Sequence, residues 1–268
     1  MGDRDDLVRT TPFEVGVPGG DFAEEEFRAI EEEVESRGAD PRDPAGFLLL
    51  GQVGRLVREL RGEESGAEAL HSFGAFLFHA WHFQRAGRPL YLLETQATRY
   101  LVESNPVPRE WDRSLPHDAG YLQLPRHLFW TRPDPEGPAE ALDGIFWVRT
   151  GGAASGGGDN LSLLLVAGMR RDRDGFSVVP LPPVPMADAP TWLEMTAREE
   201  GPDFESTLPG GELERLYSLE TTGEVLKLVA RALGYMATVP GAVTDPVSSG
   251  GEEGASALEA RRIRLGGG

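Results

Sequence analysis

The chain has 268 residues, enough for one large domain or two small ones with a sizeable buried core. Hydrophobic residues make up 40% and charged residues 26%, the usage of an ordinary globular chain rather than a disordered one. A formal net charge of −18 and the absence of cysteine argue against nucleic acid as a partner, and exclude disulfides, thiolate catalysis and sulfur-ligated metal.

Residues 1–20 carry glycine, proline and charge without periodicity and read as a flexible arm. The first predicted helix begins at Asp21, which can cap the first turn. Ala23, Phe27, Ile30 and Val34 recur at helical spacing, Glu31, Glu32 and Glu33 face water, and Gly38 ends the segment. Asp43 followed by Pro44 starts a second helix whose stripe is Phe47, Leu50, Val53, Leu56, Val57 and Leu60. Ser65 with Glu68 three residues on has the form of a capping box, opening a third helix that runs to about Arg85. That segment is apolar on nearly every side, as a central core helix should be. Residues 89–104 read as a fourth helix, although the YLL at its start also suits a short strand.

After a turn-rich stretch the period changes from helical to extended. GYLQL and HLFWTR read as one strand interrupted at Pro125, followed by LDGIFWVRT, NLSLLLVAGMR and GFSVVPL. Asp174-Gly175 marks a tight hairpin turn between the last two. A last helix follows Thr221, with Val225, Leu228, Val229, Leu233 and Met236 on its apolar face. The expected fold is therefore α+β. An N-terminal helical group packs on a four-stranded, mostly antiparallel sheet, with one long C-terminal helix. Residues 21–240 form a single domain, divisible into a helical 21–105 and a sheet-plus-helix 118–240, and 241–268 form a flexible tail.

Ligand-type side chains concentrate on the third helix. His79 and His82 are surface neighbours at a spacing that can hold one metal, and Glu68-x-x-His71 is half of a di-metal bundle signature. His117 and His127 could complete such a site only if folding brought them close. The glycine-rich 151–160 resembles a phosphate cradle in composition, but a strand follows it and no GK[ST] ending exists, so a hairpin loop is expected. Asp172 and Asp174 have a cation-binding spacing that a hairpin turn explains as well. Gly-x-Ser-x-Gly, Ser-x-x-Lys and His-Glu-x-x-His are all absent, and Lys227 is the sole lysine available for Schiff-base chemistry.

Two features suit binding. Phe129, Trp130, Phe146 and Trp147 enrich the sheet region in aromatic side chains that can anchor a partner or fill the core. The tail ends in a basic, amphipathic piece carrying Leu258, Arg261, Arg262, Ile263, Arg264 and Leu265, the sharpest charge contrast in an acidic chain. The resulting expectation is a non-catalytic protein-interaction or accessory subunit that docks another protein through its tail, with no cofactor. The alternative is a metal-dependent hydrolytic or oxidative enzyme built on Glu68, His71, His79 and His82. No run approaches the about 20 apolar residues of a membrane span. Residues 1–20 lack the basic start and apolar centre of a secretory signal, so a cytoplasmic location is expected.

Overall fold

A computed structural model describes residues 7–62, 66–103, 115–131, 137–151, 159–169, 175–181, 183–186, 212–248 and 256–266. The side chains of Glu68, Glu103, Val184, Pro185 and 212–223 lie outside that description. In chain order the helices are α1 (Pro12–Gly16), α2 (Asp21–Arg37), α3 (Pro44–Leu48), α4 (Gly51–Arg61), α5 (Ala67–Arg85), α6 (Thr95–Glu103) and α7 (Glu212–Thr238). The strands are β1 (Leu90–Leu93), β2 (Ala119–Gln123), β3 (Trp130–Thr131), β4 (Glu140–Gly151), β5 (Asp159–Ala167), β6 (Ser177–Pro180), β7 (Val184–Pro185) and β8 (Ala260–Ile263).

The expected four-stranded, mostly antiparallel sheet is replaced by a mixed sheet of seven strands. The seven are β6-β5-β4-β2-β1-β8 in order with β7 also on β5, and the two-residue β3 pairs separately with the end of β4 as an eighth strand. Neighbours from β2 to β6 are antiparallel, whereas β1 runs parallel to both β2 and β8. Sequence reading keeps β1 only as an alternative to the start of a helix, because Leu90–Leu93 is buried on both faces and such strands have no alternation to read. The missed β8 has only Ala260 and Ile263 buried, with two arginines between them. The long helix α7 is accordingly not the last element. The GGAASGGG loop is described only at its edges, and Asp172, Asp174 and Trp192 lie outside the described residues.

Both faces of the sheet are covered. On one face Leu90, Leu92, Tyr121, Phe146, Val148, Leu164 and Val166 pack with Phe76, Trp81 and Phe83 of α5, over which α2, α3 and α4 lie. On the other, Tyr91, Leu93, Leu122, Ile145, Trp147, Leu163 and Leu165 pack with α6 and the Val225–Met236 face of α7. Successive residues of β4 and β5 therefore serve different cores, the period-2 consequence of a strand buried on both sides.

Local chemistry sets the helix ends. Gly38, in the left-handed conformation at φ 59°, closes α2. The second predicted helix is broken at Leu49–Leu50 into α3 and α4, leaving Leu49 79% exposed. No side chain of its own caps α4. The Glu33 carboxylate of α2 does so instead, accepting from Gly51 N at 2.9 Å and Gln52 N at 2.8 Å. Burial pushes the Glu33 carboxyl up, but these amides and Arg37 outweigh it and hold it below its ordinary range.

Residues 7–17, read from sequence as part of a loose arm, are built into the α5 side of the core through Val8, Phe13 and Val17. Thr11 and Glu14 form a capping box on α1. Arg9 enters the interior and donates from Nε to Asp143 Oδ1 at 2.8 Å and from Nη2 to Leu124 O at 2.8 Å. Its backbone N donates to Gln123 Oε1 at 2.9 Å, and Tyr121 donates to Asp143 Oδ2 at 2.7 Å. Asp143 sits where the β4–β5 register shifts, so the bulge turns a carboxylate inward. Gly144 follows because a Cβ there would meet Leu122 O and the Tyr121 hydroxyl.

Removing one partner of this buried pair strands the other charge in the core. Arg9→Ala should lower the free energy of unfolding by about 3–5 kcal/mol in urea titrations, and Arg9→Met with Asp143→Leu should cost less than Arg9→Ala alone.

Candidate functional site

The predicted metal group on α5 separates in three dimensions. His71 is exposed, at the opposite end of the helix from the two later histidines, and the side chain of Glu68 lies outside the described residues. His79 is 2% exposed; its Nδ1–H donates to Ala75 O at 2.8 Å, one turn back on the same helix. His82 instead donates from Nε2 to Pro41 O at 2.9 Å, in the α2–α3 connection. The rings pack edge-on against Phe78, and His82 also against Trp81. Each imidazole is thus a core residue anchored to a carbonyl, and the two anchors point to different elements. Among the described residues no group of three His, Asp or Glu is placed to hold a metal ion.

His117 and His127 do not join them. His127 stacks on Trp130, centroids 5.5 Å apart, in a loop where its φ of 59° is left-handed. His117 hydrogen-bonds to Tyr91, whose ring lies on the α7 side of the sheet, with the sheet between it and His79.

The predicted docking tail is also redistributed. Leu258 packs on the α5-side core and Ile263 is fully buried on the α7 side. Ala260–Ile263 pair in parallel with β1 from Leu90 to Leu93, so these residues are a strand and not a free tether. Val243 and Val247 bridge to Ile263 and Ala260 on the outer side. Arg262 reaches Glu94 Oε1 at 3.5 Å. Arg264 and Leu265 remain exposed, Leu265 at 43%, as is Val247 at 56% at the other end of β8, opposite Ala260. Of the sheet aromatics, Phe146 and Trp147 are core and Phe129 is partly buried, while Trp130 is 43% exposed.

Sequence reading did not assemble one further cluster. The Tyr91 hydroxyl lies 2.7 Å from His117 Nδ1, and Trp147 Nε1 donates to His117 O at 3.2 Å. Trp147 can reach that carbonyl because Gly120 opposite it has no side chain; a Cβ there would overlap the indole. Arg261, in register with Tyr91, holds its guanidinium 5.9 Å from the Tyr91 ring centre. Burial pushes the Tyr91 hydroxyl up to about 12, partly opposed by Arg261. Burial also lowers His117, with Arg261 lowering it further and Asp118 opposing. The signal for this cluster was a lone His before a strand, a Tyr within LYLL and an Arg about 140 residues away, which no local spacing connects.

Burial depresses His79 and His82 from 6.5 to about 4, against the partial support of the carbonyls they contact. The unfolded chain then binds more protons between those values. The histidine contribution is full above about pH 6.5 and lost as pH falls toward 4. His79→Phe should flatten the fall of melting temperature over that window relative to the parent, by an amount on the order of 3 kcal/mol at most.

The chain matches no model of a known protein family, and no curated protein sequence matches it. Among solved structures it is similar to that of AcrVA2, with 15% sequence identity and a TM-score of 0.51. The alignment covers 90% of this chain and 78% of that one. At this identity the likeness is one of fold: the mixed sheet and its helical layers have a counterpart of known structure.

Proposed function

We propose that the protein is a non-catalytic interaction or accessory subunit of the cytoplasm that docks another protein through its outer sheet edge. The observation that carries this reading is that the chain leaving β8 presents Arg264 and Leu265 together, both exposed. Backbone pairing to β1 fixes them, and Arg264 N donates to Ala242 O at 2.9 Å. An exposed leucine next to an arginine on a chain of −18 favours a partner with an acidic, partly apolar surface, since opposite potentials steer association and suppress wrong pairings. Holding the segment rigid also lowers the ordering cost that a tethered peptide would meet on binding. The commitment of His79 and His82 to carbonyls supports an architectural role for the α5 histidines over the metal-enzyme alternative.

Truncation before β8 would uncover the sheet, so the test is a point variant. Arg264→Glu with Leu265→Ser should leave the melting temperature within about 1–2 °C of the parent, as exposed substitutions do. It should weaken capture of a native partner at least tenfold, while Leu49→Ser at the distant α3–α4 junction leaves capture unchanged. Equal capture by all three proteins would sink the edge as the docking surface.

A further inference from the structure

The Tyr91–His117–Arg261 cluster has two hydrogen-bond donors that nothing among the described residues uses. Tyr91 is fully buried, and its hydroxyl has one hydrogen-bond partner among the described residues, His117 Nδ1. A buried hydroxyl whose hydrogen found no acceptor would carry the full desolvation cost. The hydroxyl therefore donates to Nδ1, which fixes the tautomer and places the imidazole hydrogen on Nε2. His117 is half-buried, with Pro116 and Asp118 exposed on either side. Arg261 is also half-buried and has no carboxylate partner among the described residues. Asp118, the acidic group nearest His117 in the chain, is engaged by Arg149 at 3.7 Å and Arg42 at 3.5 Å, and Arg149 also pairs with Asp159.

We infer that His117 Nε2–H and the Arg261 guanidinium form a binding site for a small oxyanion, a phosphate or carboxylate group, with the Tyr91 ring as its floor. The imidazole and the guanidinium both lie about the Tyr91 ring, at 6.0 Å and 5.9 Å from its centre, and a neutral N–H with a guanidinium fork is a donor set that oxyanions select. The site is held from three strands. Tyr91 of β1 orients the ring, Trp147 of β4 holds the His117 carbonyl, and β8 delivers Arg261 in register. It lies between the start of β2 and Arg261 of β8, three residues before Arg264, and takes a small ion rather than a protein.

The test is a titration of the full chain with inorganic phosphate, and separately with acetate, followed through the His117 imidazole signals by NMR at pH 7.5. The expected result is a saturable shift of His117 with either or both ions, with His127 and His71 unmoved. Saturation by phosphate alone would assign the site to phosphate groups, and by acetate alone to carboxylates. Arg261→Met, which keeps the stem over Tyr91, should weaken binding at least tenfold. If that variant loses its native amide spectrum, His117→Phe followed by calorimetry supplies the same comparison. No shift of His117 up to about 50 mM of either ion, or equal affinity in a folded variant, would overturn the proposal.

Discussion

A sheet buried on both faces governs the rest of this molecule. Strands β1, β4 and β5 direct apolar side chains to both sides, so water must be excluded from each and the chain must supply two separate helical layers. The first layer comes from residues before the sheet, with α5 in contact and α2 to α4 outside it. The second comes from α6, between β1 and β2 in the chain, and α7, between β7 and β8. Each layer covers one face, so a division near residue 105 would part the α5 layer from most of the strands it packs on.

Within that frame the interior polar groups have specific architectural jobs. Arg9 and Asp143 fasten the N-terminal segment to the β4 bulge, Glu33 starts a helix it does not belong to, and His79 and His82 bind carbonyls. Buried polar groups of this kind are tolerated only when partnered, and the partners here are supplied mostly by backbone.

Helices with strong periodicity and caps were legible from the residues alone: α2 from Phe27, Ile30 and Val34 with Gly38, and α5 from its length and apolar content. The break at Leu49–Leu50 was not, because the group that restarts α4 is Glu33, 18 residues earlier and on another helix. The parallel strands were hidden for opposite reasons. β1 is too uniformly apolar to show a period, and β8 is too polar, with two arginines between its buried Ala260 and Ile263. The Arg9–Asp143 pair and the Tyr91–His117–Arg261 cluster join residues more than a hundred positions apart, beyond any reading of spacing. The histidines of α5 were visible as residues, but their roles were set by Ala75 and Pro41 carbonyls, which no side-chain motif encodes.

The pairing of β8 with β1 has a consequence for the order of events during synthesis. Leu90–Leu93 leaves the ribosome 167 residues ahead of Ala260. At the usual pace of about 5–20 residues per second, the outer edge of an all-apolar strand waits roughly 10–30 s for its partner. Through that interval the nascent chain carries an open template for pairing with other strands. The highly negative charge of the polypeptide supplies electrostatic repulsion between neighbouring nascent chains at the stage when they are most prone to stick.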